Sequence, residues 1–174
     1  KPTRFIASTK SAAIAQGNIL KLNAPDRLLE SLNFLPGTRM EERSPGSYRL
    51  AIRGSALRSP YGVRNVKVYL DEFIFSDATG NTYLNLLDPS LINKIELYKG
   101  PEGGDFGAVT GGTVLLKTSD SERKTLEINA GSYGLFRYGA HYARDFGQHS
   151  LQFFHSFHTA DSYREQSALQ RMNF

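Results

Sequence analysis

Apolar and polar side chains alternate from Lys124 to His158, and a period of two held over three segments restricts this part of the chain to strands. Leu126, Ile128 and Ala130 fall on one face, with Thr125, Glu127 and Asn129 on the other. Phe136, Tyr138, Ala140 and Tyr142 then oppose Arg137, Gly139, His141 and Ala143, while Leu151, Phe153 and Phe157 oppose Gln152, Ser156 and His158. Gly131-Ser-Tyr-Gly134 and Phe146-Gly-Gln-His149 supply the turns. Segments of about ten residues with one aromatic face match the meander of a membrane β-barrel, whose aromatic girdles sit at the lipid interfaces. An antiparallel sheet in a soluble domain alternates in the same way, so the pattern alone leaves that alternative open.

The rest of the chain has a different composition. Residues 1–124 hold ten of the twenty aromatics (9 Tyr, 11 Phe) and the last fifty residues hold the other ten. The polar run Thr118-Ser-Asp-Ser-Glu-Arg-Lys124 marks the change. The division expected is an extended leader over 1–17, a compact domain over 18–120 and a strand region over 121–174.

In the compact part, Asn18-Ile-Leu-Lys-Leu22 reads as a short strand. Pro25 to Asn33 reads as a two-turn helix, with Leu28, Leu29 and Leu32 at helical spacing and Pro36-Gly37 as its stop. Tyr48 to Arg53 alternates and closes at Gly54, and Val66 to Phe75 reads as a strand interrupted by a turn at Asp71-Glu72. Asp88 caps a helical turn that opens on Pro89. Lys94 to Tyr98 and Thr110 to Thr118 read as strands, the second opening on paired glycines, and six of the sixteen glycines lie between Gly100 and Gly112. Such clustering signals positive φ or close backbone approach. Short strands broken by small helices make an α/β (α+β) domain with a mixed sheet of about four strands.

Several function classes are excluded or weakened. With no cysteine there is no disulfide scaffold, thiolate metal site or cysteine nucleophile. The net charge is +4, but no run of five Lys or Arg occurs, and nothing points to nucleic acid. No apolar run approaches the roughly 20 residues of a membrane-spanning helix, and the first eight residues lack the apolar stretch of a signal peptide, so the chain reads as mature or trimmed. The glycine loop has neither the lysine and Ser/Thr of a phosphate-binding loop nor a Gly-x-Gly-x-x-Gly opening a helix. His155 and His158 fall on opposite strand faces, as do Asp71 and Glu72, so neither pair makes a metal or acid/base site. No nucleophile, base and orienter stand at usable spacing, and the chain does not read as an enzyme.

Five segments, in order over about ninety residues, resemble the plug domain of TonB-dependent outer-membrane receptors. They are Leu32-Asn-Phe-Leu-Pro-Gly37, Leu50-Ala-Ile-Arg-Gly54, Val66-Lys-Val-Tyr-Leu-Asp71, Ile95-Glu-Leu-Tyr-Lys-Gly-Pro101 with Phe106-Gly107, and Gly111-Gly-Thr-Val-Leu-Leu-Lys-Thr118. The tail then resembles the first strands of the barrel. Glu72 stands where the family commonly has glycine, and Lys99 where it has arginine.

The resemblance implies the gate of an energised importer in the outer membrane of a Gram-negative bacterium, with the plug filling a barrel of about twenty-two strands. TonB would act through an N-terminal box that no segment of this sequence reveals, and outer-membrane lipid would surround the tail. No cofactor is implied. The family's outward plug loops correspond to 55–64 and 76–83. Arg58, Tyr61 and Arg64 would there meet an anionic or aromatic ligand such as a ferric siderophore, and Asp77, Asn81 and Tyr83 would supply hydrogen bonds to it or to a glycan; plain loop solvation is the alternative. The family's plug arginines pair with barrel glutamates, which implies a latch at Arg53 and Lys99, with Glu96 beside them. Lys99 supplies charge but no bidentate fork. A rival reading is a soluble binding module that uses a plug-like sheet and a hairpin edge for strand addition.

Overall fold

The computed structural model describes residues 11–17, 20, 28–44, 47–55, 62–101, 106–107, 110–118, 122–147, 149–161 and 168–174. Short helices and three sheets make up the described part. Strands β1 (Ala12–Gln16), β4 (Val66–Leu70), β5 (Phe73–Ile74), β6 (Ile92–Lys99) and β7 (Gly112–Thr118) form a five-stranded sheet in the order β1-β6-β7-β4-β5. Only β4 and β7 run parallel, with Val68 opposite Val114. β2 (Thr38–Ser44) and β3 (Ser47–Ile52) form a hairpin of their own. The third sheet is antiparallel and consists of β8 (Arg123–Ala130), β9 (Phe136–Phe146), β10 (His149–Ala160) and β11 (Leu169–Asn173). A mixed sheet with short helices, followed by antiparallel strands, is the fold class the sequence implies.

One core organises the first part. Val66 and Val68 of β4, Ile95 and Leu97 of β6, and Val114 and Leu116 of β7 are buried on one sheet face. The opposing layer is helix α1 (Leu28–Asn33) and the hairpin, through Leu28, Leu32, Met40, Leu50 and Ile52. Removing a side chain of this size from water is worth about 1.5–3 kcal/mol. The alternation in β6 slips between Ile92 and Ile95, where the pairing with β7 shifts register between Ile92 and Lys94.

Three elements depart from expectation. Residues 12–16, expected to be leader, form edge strand β1 against β6, with Ile14 opposite Glu96. Of the strand expected over 18–22 only Leu20 is described, and it is buried and helical. Among the residues of β2 whose burial is described, Met40 alone is buried, so no apolar period announces the strand. Its position is set instead by Asn33 at the end of α1, whose amide donates to the Met40 carbonyl at 2.9 Å and accepts from the Met40 N–H at 2.7 Å.

The tail sheet is inverted relative to the first part. Cross-strand partners put Leu126, Ile128, Phe136, Tyr138, Phe153 and Phe157 on one face, where Leu126 is 73% exposed and Ile128 67%. Its other face carries Glu127, Arg137, His141, Ser156 and Arg171, and there Arg137 is only 1% exposed. Phe146 pairs with His149 across one tight turn, while Tyr133 and Gly134 take positive φ at the other. The faces follow the alternation in sequence; β11 was hidden in it because Leu169 shares the inner face with Arg171 and Asn173.

Candidate functional site

At one end of the five-stranded sheet, three loops meet. β3 leaves through Arg53 (φ 50°) and Gly54 (φ 76°), and Ser55 receives the Asn65 side-chain amide on its carbonyl at 3.0 Å. Gly111 donates its N–H to the Asn65 carbonyl at 2.9 Å. A Cβ on Gly111 would stand 2.6 Å from that carbonyl, and one on Gly112, at φ 142°, would collide with the Tyr98 carbonyl. The paired glycines are therefore required by the close approach of neighbouring backbone, one of the two readings that the glycine clustering offers. Phe106 closes the sheet face below, its carbonyl accepting from Lys67 and from the Tyr69 hydroxyl, both at 3.1 Å.

The loop after β5 is tied to the same end. Thr82 donates its N–H to the Val63 carbonyl at 3.0 Å, and the Ser76 and Thr82 hydroxyls are 2.7 Å apart. Asp77 Oδ1 accepts from the Thr79 N–H, the Thr79 hydroxyl and the Asn81 N–H at 2.9, 2.7 and 2.9 Å. The Thr79 hydroxyl, then these N–H groups and the Arg64 charge, hold the exposed Asp77 carboxyl below its ordinary range. Arg64 Nε donates to Asn81 Oδ1 at 2.6 Å.

Of the six residues expected to contact ligand, the structure thus brings Arg64, Asp77 and Asn81 together. Tyr83 follows directly, about half exposed, at the start of a helical turn (Leu84–Leu86). Arg58 and Tyr61 lie outside the described residues. The arrangement presents an exposed guanidinium steadied by an amide, while Asp77 Oδ1 is committed to shaping the turn.

The expected latch residues lie near the same end. Arg53 Nη2 donates to the Ser11 hydroxyl at 2.8 Å and runs past Gly100; Lys99 passes over Gly37. Among the described residues neither carries an ion pair with the tail strands. Glu96 is engaged within its own strand, by Lys94 at 2.5 Å and the Tyr98 hydroxyl at 3.1 Å. Burial raises the Glu96 carboxyl, but Lys94 and Tyr98 outweigh this and lower it overall.

A second constellation lies where the Leu86-Leu-Asp-Pro-Ser turn meets the tail sheet. Asp88 caps the helical turn Pro89–Leu91, accepting from the Ser90 N–H at 2.9 Å and the Ser90 hydroxyl at 2.7 Å. The same carboxylate, fully buried, accepts from Arg137 Nη2 at 2.9 Å and from the Ser156 hydroxyl at 2.6 Å, with Arg171 Nη2 at 3.9 Å. Burial raises the Asp88 carboxyl, but the Arg137 charge and the Ser156 and Ser90 hydrogen bonds outweigh it and hold it below its ordinary value of 3.8. Arg137 also faces Glu127 at 3.6 Å, and Arg123 lies at the same distance from Glu127. His141 is buried beside them, edge-on to Phe154, with no hydrogen-bond partner among the described residues. The cap at Asp88 is legible in the sequence. Its partners are 49 and 68 residues away, and the one available signal was the repeated placement of Arg137 and Ser156 on the polar face of their strands.

A family model described as the TonB-dependent receptor plug domain matches residues 6–114, more than half of the chain. The chain belongs to that family. Among solved structures it is similar to the ferric yersiniabactin uptake receptor FyuA from Yersinia pestis, at 16% identity and a TM-score of 0.66, over 88% of this chain and 24% of that one. The copper transporter OprC matches at 16% identity and a TM-score of 0.67, over 91% of this chain and 25% of that one. The ferric enterobactin receptor PfeA from Pseudomonas aeruginosa, solved as a double mutant, matches at 18% identity and a TM-score of 0.61, over 87% and 24%. At these identities the likeness is one of fold, and it takes in the plug and the tail sheet together. The chain spans about a quarter of the length of each of these proteins.

Proposed function

We propose that this chain is the gate region of an outer-membrane importer that takes up a scarce nutrient under TonB control. The plug body takes in the expected 18–120 domain together with β1, and 121–174 are the opening strands of the barrel. The carrying observation is the inverted tail sheet: its buried charges face the plug, and its exposed apolar residues face away, as lipid contact requires. A soluble binding module gains nothing from that inversion. The role is transport rather than catalysis.

The ligand proposed is a ferric siderophore or a similar anionic iron chelate. What supports it is the exposed Arg64 guanidinium, oriented by Asn81 on a loop that Asp77 shapes, with Tyr83 beside it. Arg58 and Tyr61 would complete the contact from the neighbouring loop. Iron-chelate receptors among similar folds agree with this, and the copper transporter in the same group shows that the fold also serves other cargo. Arg53 and Lys99, with Glu96 near them, would meet carboxylates of later barrel strands, since both cations lack an acidic partner among the described residues.

A deletion strain complemented with the full receptor tests the reading. Growth on one ferric chelate as sole iron source, lost when TonB is removed and weakened by Arg64→Ala, is the expected outcome. Growth that is indifferent to every iron chelate but restored on a glycan would replace the ligand and keep the importer.

A further inference from the structure

The 85–90 turn is held by inner residues from all four tail strands. Arg123 of β8 donates to the Ser90 carbonyl at 3.4 Å. Arg137 of β9 donates to Asp88 Oδ1, and Ser156 of β10 to Asp88 Oδ2. Arg171 of β11 reaches the carbonyls of Asn85 and Leu87 at 3.4 and 3.5 Å. Asn173, with its amide turned to satisfy both ends, accepts from the Asp88 N–H at 3.3 Å. Four successive strands thus address four residues, Asn85, Leu87, Asp88 and Ser90, within one six-residue stretch of the plug.

We infer that the Asp88 turn is a docking peg which latches the plug to the first four barrel strands, with an acid on the plug and arginines on the barrel. This rests on the importer reading above and is separate from the Arg53 and Lys99 corner, whose charges have the opposite sign.

The chemistry favours a latch over a chance contact. A carboxylate removed from water is tolerated only when its lone pairs are satisfied and a counter-charge is near. Asp88 meets both conditions, but with half of its donors on the barrel side. Pulling the turn away takes from Arg137 the acid at 2.9 Å and leaves it Glu127, at 3.6 Å, among the described residues. Plug displacement at this seam therefore separates the buried Asp88 carboxylate from its counter-charge and carries an electrostatic cost. The peg holds the plug to the start of the barrel.

The test uses the full receptor in the outer membrane. Barrel insertion is read by heat-modifiable migration on a gel, and plug retention by leak of a large hydrophilic antibiotic that the intact receptor excludes. Asp88→Asn is expected to insert normally and to raise the leak at least about tenfold, the factor that a loss of about 1.4 kcal/mol of retention gives. The double exchange Asp88→Arg with Arg137→Asp is expected to leak less than either single exchange. Arg171→Gln, which leaves the Asp88 to Arg137 contact in place, serves if Asp88→Asn does not insert, and a raised leak from it supports the peg. Normal insertion with a leak at the level of the unaltered receptor in all these variants overturns the latch alone. Failure of the unaltered receptor to insert overturns the importer reading, and the latch with it.

Discussion

The five-stranded sheet and the tail sheet use the same strand geometry to opposite ends. In the first, Val68, Ile95, Leu97 and Leu116 lie buried on the side that faces α1 and the β2-β3 hairpin. In the second, the buried polar side chains are Arg137, His141 and Ser156, and Leu126, Ile128 and Phe153 lie outside. The first needs no more than water and its own layers; under the importer reading the second needs a polar filling and an apolar exterior, and the 85–90 turn of the plug supplies part of that filling. The plug therefore has two roles at once, as a folded body and as the counter-surface for a sheet that could not bury arginine on its own.

Paired substitutions break this comparison most sharply. Leu97→Asp places an unpaired charge in the core and is expected to cost more than about 4 kcal/mol, abolishing cooperative unfolding of the plug in any solvent. Leu126→Arg separates the two environments. In a lipid bilayer it is expected to cost about 2–4 kcal/mol, read from folding titrations into vesicles. If the outer face meets only water, the same substitution stays within about 0.5 kcal/mol. Equal behaviour with and without lipid would leave the tail as an ordinary sheet.

Gly112→Ala comes next and belongs to the first sheet alone. The new Cβ would meet the Tyr98 carbonyl at a φ that L residues avoid, so β6 and β7 must part locally. A loss of about 2 kcal/mol in chemical denaturation is expected, against about 1 kcal/mol for Gly54→Ala, where positive φ sets the cost and no atom of the described residues lies within 4 Å. A loss at Gly112 no larger than at Gly54 would show that the backbone approach is relaxed in solution.

How far these features could be read from sequence depends on whether their partners are local. The strand faces of β8, β9 and β10 follow from alternation, because side-chain direction in a strand depends only on parity. The Asp88 cap is legible because Ser90 lies two residues away. Strand β1 and strand β2 escaped, the first because Ala12-Ala-Ile-Ala-Gln16 has no polar alternation, the second because a single buried Met40 sets no period. The loop residues Arg64 and Asn81 are 17 apart and meet only because Thr82 pairs with Val63, a contact no spacing rule supplies. The seam is the extreme case, since Asp88 finds Arg137 and Ser156 through the packing of one sheet on another domain.

That seam makes a pH prediction with a definite sign. The folded Asp88 carboxyl lies below its ordinary value of 3.8, so between the two values the unfolded chain binds the additional proton. Its contribution to stability is complete above 3.8 and is lost as the pH falls through the folded value. Unfolding of the detergent-solubilised receptor, followed from pH 5 downward, should show this loss, and Asp88→Asn should flatten it. Stability that rises on acidification over that window would contradict the assigned charge on Asp88.

The smallest stability effect is expected at the ligand loops, where it separates holding from recognition. Arg64 is exposed and bonded to Asn81, so Arg64→Ala should change stability by no more than about 0.5 kcal/mol. Asp77→Ala removes the acceptor of three hydrogen bonds and should loosen the 76–82 turn, visible as faster amide exchange at Thr79 and Asn81. If the guanidinium contacts an anionic chelate, Arg64→Ala weakens binding while this exchange is unchanged, and Asp77→Ala alters both. Loss of binding from Asp77→Ala with none from Arg64→Ala would instead make loop shape, rather than the positive charge, the determinant of recognition at this end of the sheet.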